Sequence, residues 1–251
     1  MRFSARHIAI TGGSGEMGRR ITARLIEEGA SVTVFDRLAP DGVQARYMAC
    51  DLAEPEGLQA AGERLASEPF DTLINLAGVQ YFGPIEDEPP AQLARTLAIN
   101  LLAPIRLTQA VLPGMKARGR GQIVNVGSIF GSINFAHFAS YSSSKAGLRA
   151  FSQALRREVA GSGVDVTYVA PRAVKTAFNS AKVEQFAALT KMAMDDPGQV
   201  AARIVEAVAR RRRDVYLGFP EAFFVRLNAI APNLVDRALA SDDRRVARLF
   251  A

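Results

Sequence analysis

Short, near-continuously apolar runs alternate with stretches of helical period along most of this chain, and that alternation constrains the fold more than any other feature. His7–Thr11, Ser31–Asp36, Arg46–Cys50, Asp71–Asn75, Gln122–Gly127, Val164–Val169 and Asp214–Leu217 read as strands. Between them, Met17–Glu28 reads as a helix ended by Gly29, and a second helix covers Glu54–Ser67, stopping before Pro69. Pro90 opens a long helical region to about Lys116, expected to break or kink near Pro104 and Pro113. Tyr141–Gly161 and Gln199–Arg211 complete the series. Apolar strands joined by helices imply a parallel sheet covered on both faces. With right-handed crossovers, the expectation is a doubly wound α/β fold of Rossmann type, with about seven parallel strands and helices on both faces. No repeat, low-complexity linker or composition break divides the chain, so residues 1–251 are expected to form one domain.

Composition removes other classes. An apolar share of 49% excludes disorder, and a single cysteine, Cys50, excludes a disulfide framework or a multi-thiolate metal site. His7 and His137 lie far apart with no metal-binding spacing, so no metal is expected. Apolar runs fall short of the roughly 18 residues that a membrane-spanning helix needs. Met1–Ile10 runs straight into Thr11-Gly12-Gly13 and reads as strand and turn rather than signal peptide, which makes the cytoplasm the expected compartment. The net charge of +6 comes mostly from scattered arginines, densest at Arg210–Arg213 and near Arg244, Arg245 and Arg248. No aromatic residues interleave with them as a base-stacking platform would require, so no nucleic-acid partner is expected.

Thr11-Gly12-Gly13-Ser14-Gly15-Glu16-Met17-Gly18 joins the first strand to the first helix. Gly13, Gly15 and Gly18 fit a G-x-G-x-x-G pattern in the strand–turn–helix context that a dinucleotide diphosphate requires. The absent Cβ atoms let the turn close, let backbone approach the diphosphate and let the helix lie on the sheet. Gly12, Gly13, Ser14, Gly15, Met17 and Gly18 are therefore candidate cofactor contacts. Asp36 ends the second strand, 18 residues after Gly18, where a carboxylate accepts ribose hydroxyls and repels a 2′-phosphate. That favours NAD over NADP, although Arg37 beside it is suited to a 2′-phosphate if Asp36 turns away. Asp51 and Leu52 after the third strand, and Asn75, Ala77 and Gly78 after the fourth, extend the candidate wall. Their alternative reading is strand-end caps and a tight turn.

Three later features bear on chemistry. Ser128 lies just past the fifth strand, Tyr141-Ser-Ser-Ser-Lys145 puts a phenol and an ammonium one helical turn apart, and Asn100 sits inside the long helical region. With the glycine turn, this pattern resembles the short-chain dehydrogenase/reductase family over Ile8 to Thr176. The resemblance implies a catalytic set of Asn100, Ser128, Tyr141 and Lys145, with Tyr141 and Lys145 also touching the cofactor. It further implies nicotinamide contacts at Pro171, Val174 and Thr176. A free phenol titrates near pH ~10, and a neighbouring ammonium and a positive nicotinamide are expected to lower that value. Tyr141 would then serve as acid/base, Ser128 as hydrogen-bond donor to the substrate oxygen, Lys145 as a holder of the ribose, and Asn100 as an anchor for a relay water.

Two positions depart from the family pattern. Glu16 occupies the place of a glycine common in single-domain members, with Gly15 standing in for it, and Arg172 replaces the glycine of a P-G-x-x-x-T segment. Arg172 either salt-bridges locally or reaches an anionic substrate group. Residues 172–196 are expected to be a substrate lid, made apolar by Phe178, Phe186, Leu189, Met192 and Met194. Phe130, Ile133, Phe135, His137 and Phe138 add to the chamber. The reading is an NAD(H)-dependent oxidoreductase of hydrophobic secondary alcohols or ketones, acyl-chain substrates included. The alternatives are an NADPH-linked 3-oxoacyl-type reductase or a non-catalytic dinucleotide-binding scaffold. Residues 197–251 carry the last strand and C-terminal helices, whose apolar surface points to a homodimer or homotetramer, ahead of a cover for the site or a membrane surface.

Overall fold

The structure, a computed structural model, describes residues 1–250. Over these, seven strands alternate with nine α-helices: β1 (His7–Thr11), α1 (Glu16–Glu27), β2 (Ser31–Asp36), β3 (Arg46–Ala49), α2 (Pro55–Ser67), β4 (Thr72–Asn75), α3 (Pro90–Leu97), α4 (Ala103–Ala117), β5 (Gly121–Val126), α5 (Ala139–Glu158), β6 (Val164–Ala170), α6 (Ala181–Leu189), α7 (Pro197–Ala209), β7 (Asp214–Tyr216), α8 (Glu221–Ile230) and α9 (Pro232–Ala247). The strands form one parallel sheet in the order β3-β2-β1-β4-β5-β6-β7. The chain winds outward from β1 to β3, then returns to place β4 on the other side of β1, so a crevice opens where the winding reverses.

Both faces of the sheet are covered, which is why the strands read as almost unbroken apolar runs. Ile8, Ile10, Val32, Val34, Ile74 and Val124 pack on one side with α1 and α7, through Ile21, Leu25, Ile204 and Val205. Ala9, Phe35, Leu73, Ile123 and Val166 face the other way, against Leu65 of α2, Leu107 and Val111 of α4 and Leu155 of α5. Neighbouring strand residues thus serve opposite layers, as a period of two demands.

Between α3 and α4 the helical region is interrupted by a π-helical turn, Ala98–Leu102, which falls just before Pro104. Pro104 itself lies in the first turn of α4, directly after that π turn, and α4 continues through Pro113. An 18-residue window within Pro90–Ala117 reaches a mean hydropathy of 1.2, so this helical region is long and apolar enough to cross a membrane, a property that counting unbroken apolar runs does not reveal. Here its apolar side packs against α2, α5 and β5.

A buried chain of amides runs beneath the crevice. Asn75 Nδ2 donates to Asn125 Oδ1 at 2.8 Å, Asn125 Nδ2 donates to Ser152 Oγ at 2.8 Å, and that hydroxyl donates to Leu148 O at 2.7 Å. It links β4, β5 and α5 with full-strength bonds away from water. The C-terminal hairpin of α8 and α9 is anchored by a small cluster of Ile133, Val225 and Val235, and leaves Phe219, Phe223, Phe224, Ile230 and Leu234 exposed. Its far end, Val246, Leu249 and Phe250, packs on Val183 and Phe186 of α6. Asn125→Ala leaves Asn75 and Ser152 with unmatched polar groups and should cost ~2–4 kcal/mol, measured as a lower urea midpoint at unchanged m-value. An unchanged midpoint would show that the amide chain contributes nothing to stability.

Candidate active site

The crevice is a cavity of about 710 Å³ that runs from the glycine turn to the start of α5 and under α6. At one end, Thr11 Oγ1 accepts from Leu76 N at 3.1 Å and Ala77 N at 3.2 Å, tying the turns after β1 and β4 together. Gly12 has φ +70°, and a Cβ there would stand 2.7 Å from Ala77 Cα; a Cβ on Gly18 would stand 2.1 Å from Gly12 O. Only glycine fits at either place. Gly15 differs, since a Cβ on it would meet nothing closer than 3.6 Å. It is the N-cap of α1 and makes no side-chain capping bond, so the first-turn N–H groups of α1 face open space suited to an anion. Glu16 directs its carboxylate to Arg20, 3.4 Å away on the same helix.

Asp36 is held at the rim of this end, where its carboxylate accepts from Ser14 N at 2.9 Å and Arg37 N at 2.7 Å. Each oxygen keeps lone-pair capacity for ribose hydroxyls. Burial pushes the Asp51 carboxyl up, but a bond from Ala53 N and the Arg95 guanidinium at 3.2 Å outweigh it and hold the group below its usual range. The donor set thus fits a dinucleotide: open helix-terminal N–H groups for a diphosphate and a fixed carboxylate for a ribose.

The expected cofactor residues Gly12, Ser14, Gly15, Met17 and Gly18 all line the cavity, as do Asp36, Arg37, Asp51 and Leu52. Ala77, Gly78, Pro171, Val174 and Thr176 line it further along. Two others do not. Gly13 lies beneath the turn, where a Cβ would stand 2.8 Å from the Val34 methyls, and Asn75 is committed to Asn125 while Leu76 forms the wall. Arg19, Gln80 and Arg95 line the cavity without having been singled out in the sequence. Arg19 immediately follows Gly18 on α1 and was locatable by that spacing. Arg95 lines the cavity beside Asp51, 44 residues distant in sequence, and carries no local signal.

At the other end, Ser128 caps the 3-10 turn Ile129–Gly131, accepting from Phe130 N at 3.2 Å. That turn packs on α5, where a Cβ on Gly131 would stand 2.6 Å from the Lys145 carbonyl carbon. Tyr141 and Lys145 project from one face of α5 and are only 8% and 4% exposed. Lys145 Nζ donates to Val126 O at 3.1 Å and lies 5.9 Å from the centre of the Tyr141 ring. Asn100 comes from the π-helical turn. Its Oδ1 accepts from Val79 N at 2.9 Å, and its Nδ2 donates to Val79 O at 2.8 Å and Ser144 Oγ at 3.0 Å. Asn100 is fully buried and stands behind the cavity wall, but a Cβ on Gly78 would lie 3.3 Å from its Oδ1 and 3.5 Å from Lys145 Nζ. The four residues of the expected catalytic set therefore converge around one end of the crevice.

Their electrostatics differ from the sequence expectation of a phenol acidified by the lysine. In the chain alone, burial pushes Tyr141 up to about 12, opposed by the Ser128 hydroxyl, and pushes Lys145 down to about 8. Desolvation disfavours both charges. The remaining walls are apolar: Phe130, Phe138, Phe178, Val183, Phe186 and Met192. Ile133, Phe135, Leu189 and Met194 do not line this cavity. His137, at φ +65°, lines a separate hollow of about 370 Å³ and stacks on Phe250 at 4.7 Å. Arg172 pairs locally through Nη2 with Asp195 at 2.6 Å and through Nη1 with Glu221 at 2.9 Å, which favours the salt-bridge reading, although its buried Nε has no partner among the described residues and the residue also lines the cavity.

The Lys145 shift has a definite sign in folding. Between about 8 and 10.5 the unfolded chain keeps a proton on Lys145 that the folded chain has released, so stability rises with pH across that window. Relative to Lys145→Met, the wild type should gain ~3 kcal/mol of unfolding free energy from pH 8 to 10.5. Parallel pH profiles in urea denaturation would show that the ammonium is not desolvated.

Comparison with known proteins gives a consistent family. A family model for short chain dehydrogenases matches residues 6–187. Among curated proteins, the chain is 30% identical to dehydrogenase/reductase SDR family member 7B of Bos taurus, over 95% of this chain and 81% of that protein. It is 28% identical to the 3-oxoacyl-[acyl-carrier-protein] reductase FabG of Vibrio cholerae, over 90% and 94%. Among solved structures, a short-chain dehydrogenase from Streptomyces avermitilis superposes with a TM-score of 0.79 at 27% identity, covering 96% of this chain and 98% of that one. A Beutenbergia cavernae protein described as an NAD(P)-dependent gluconate 5-dehydrogenase, with NADP bound at low occupancy, gives 0.75 at 27% identity, over 85% and 95%. With the family model spanning well over half its length, this chain belongs to the short-chain dehydrogenase/reductase family, NAD(P)-dependent oxidoreductases that act on alcohol and keto groups.

Proposed function

We propose that this chain is an NAD(H)-dependent dehydrogenase or reductase that interconverts a hydrophobic secondary alcohol and its ketone, acyl-chain substrates included. One observation carries the reading: a single cavity joins the helix-terminal N–H groups and Asp36 at one end to Ser128, Tyr141 and Lys145 at the other, beneath a lid of apolar and aromatic side chains. The nicotinamide, when bound, supplies the hydride acceptor or donor. Tyr141 Oη takes the proton from the alcohol, or returns one to the ketone oxygen. Ser128 Oγ donates a hydrogen bond to that same oxygen and stabilises its developing charge. Lys145 would hold the nicotinamide ribose, and its ammonium form would favour the phenolate of Tyr141. Asn100 fixes Val79 against α5 through Ser144, behind the wall beside Lys145. The apolar chamber walls disfavour a strongly polar substrate.

Cofactor choice follows from Asp36, whose carboxylate repels a 2′-phosphate. A second reading, an NADPH-linked 3-oxoacyl-type reductase, draws on Arg37 and Arg19 at the same rim, where Arg19 Nε finds no partner among the described residues. The exposed leucines Leu93 and Leu97 of α3 and Leu102 of the π-helical turn support a homodimer or homotetramer.

Tyr141→Phe should lower kcat by ~10²–10⁴ while leaving NADH affinity within twofold, measured on a panel of lipophilic alcohols and ketones and by NADH fluorescence titration. Wild-type turnover by that variant removes Tyr141 from the chemistry. In the same titrations NADH should bind at least ~10-fold more tightly than NADPH, and Asp36→Ala should narrow the gap. Equal affinities in the wild type would favour the second reading. Sedimentation should show a dimer or tetramer at micromolar concentration, and a monomer would refute the assembly.

A further inference from the structure

The lid is a loop with a closed neck. Asp195 N donates to Ala173 O at 2.9 Å and Lys175 N donates to Asp195 O at 3.0 Å, so the chain leaves and returns at nearly one point. Arg172 stands immediately before that neck. Its Nη2 donates to Asp195 Oδ1 at 2.6 Å, on the returning strand of the neck. Its Nη1 donates to Glu221 Oε2 at 2.9 Å and Phe219 O at 3.2 Å, at the start of the C-terminal hairpin. The side chains of Arg172, Asp195 and Glu221 are only 14%, 21% and 14% exposed, so this is not a solvent-screened surface pair. The turn before α8 is shaped around it. Gly218 has φ +104°, and a Cβ there would stand 2.7 Å from Arg172 Cδ. The hairpin also grips the lid at a second place, where Val246, Leu249 and Phe250 pack on Val183 and Phe186.

The segment that carries Arg172 also forms the cavity wall, through Pro171, Val174 and Thr176. A guanidinium that binds two carboxylates and a carbonyl from separate elements leaves that segment little freedom. A lysine, with its compact ammonium, has no planar fork with which to span the same three acceptors. Glu221 touches neither the cavity nor the neck directly, and Arg172 is its link to both.

We propose that Arg172 is a positioning residue that joins the neck of the substrate lid to the C-terminal hairpin, so that Glu221 on the hairpin holds the nicotinamide-side wall, residues 171–176, in place. The wall's partner is taken from the functional reading above, whereas the mechanical link is independent of it. Lid opening is then confined to the loop beyond the neck, residues 176–194, and loosening the hairpin loosens the wall.

Hydrogen exchange on the full chain without ligand tests the link. Glu221→Gln should speed exchange by about tenfold in peptides covering residues 173–176 and 194–196, as well as 218–224, while β1, β4 and β5 keep their protection. Arg172→Lys, the milder change at the centre, should give the same pattern. Acceleration confined to 218–224, or spread equally through the sheet, would overturn the proposal, because Glu221 would then serve only its own helix or global stability. NADH titration reads the positioning role: Glu221→Gln should weaken binding several-fold, and unchanged affinity beside a loosened neck would overturn that role. Failure of the wild type to bind NADH would strike the functional reading and leave the exchange result to decide the link.

Discussion

Parallel pairing of β1 with β2 on one side and β4 on the other is the constraint on which the site rests. Because the winding reverses there, the turns after β1 and β4 diverge to opposite layers and leave a gap above the strand ends. Thr11 closes the floor of that gap by accepting two N–H groups from the β4 turn, and the close approach this requires leaves no room for a Cβ at Gly12. The glycine turn, the N-terminus of α1 and the Asp36 carboxylate are then placed by the sheet rather than by loop chemistry of their own.

Much of this is legible from local pattern. Apolar runs located all seven strands to within about a residue, and the i, i+4 spacing of Tyr141 and Lys145 placed both on one face of α5. What local pattern does not carry is orientation at strand ends. Gly13 and Gly15 look equivalent in a glycine motif, yet one packs beneath the turn on Val34 and the other opens α1 to an anion. Asn75 ends β4 as a candidate contact, but its amide is taken by Asn125, a partner supplied by a strand formed 50 residues later. The π-helical turn that presents Asn100 to Val79 and Ser144 falls just before Pro104, and residue spacing alone does not show that the amide turns inward there.

The electrostatics were the least legible. Spacing places a cation beside a phenol and invites the conclusion that the phenol is acidified. Burial, which spacing does not encode, reverses the balance for the chain alone and favours neutral forms of both groups. Arg172 illustrates the same limit. A lone arginine in place of a glycine is ambiguous until Asp195 and Glu221, 23 and 49 residues downstream, are seen to meet it.

The amide chain beneath the crevice has an evolutionary corollary. Asn75, Asn125 and Ser152 are interlocked: an exchange at Asn125 strands polar atoms on both neighbours, and an exchange at either end strands one on Asn125. The foundation under the reacting groups is therefore hard to vary one residue at a time. The aromatic roof contributed by α6 and the loops is built from shape alone and tolerates piecemeal exchange. Diversification of a scaffold like this one is channelled upward: new ligands are accommodated by retailoring the roof, while the bedrock and the reaction it supports are inherited unchanged.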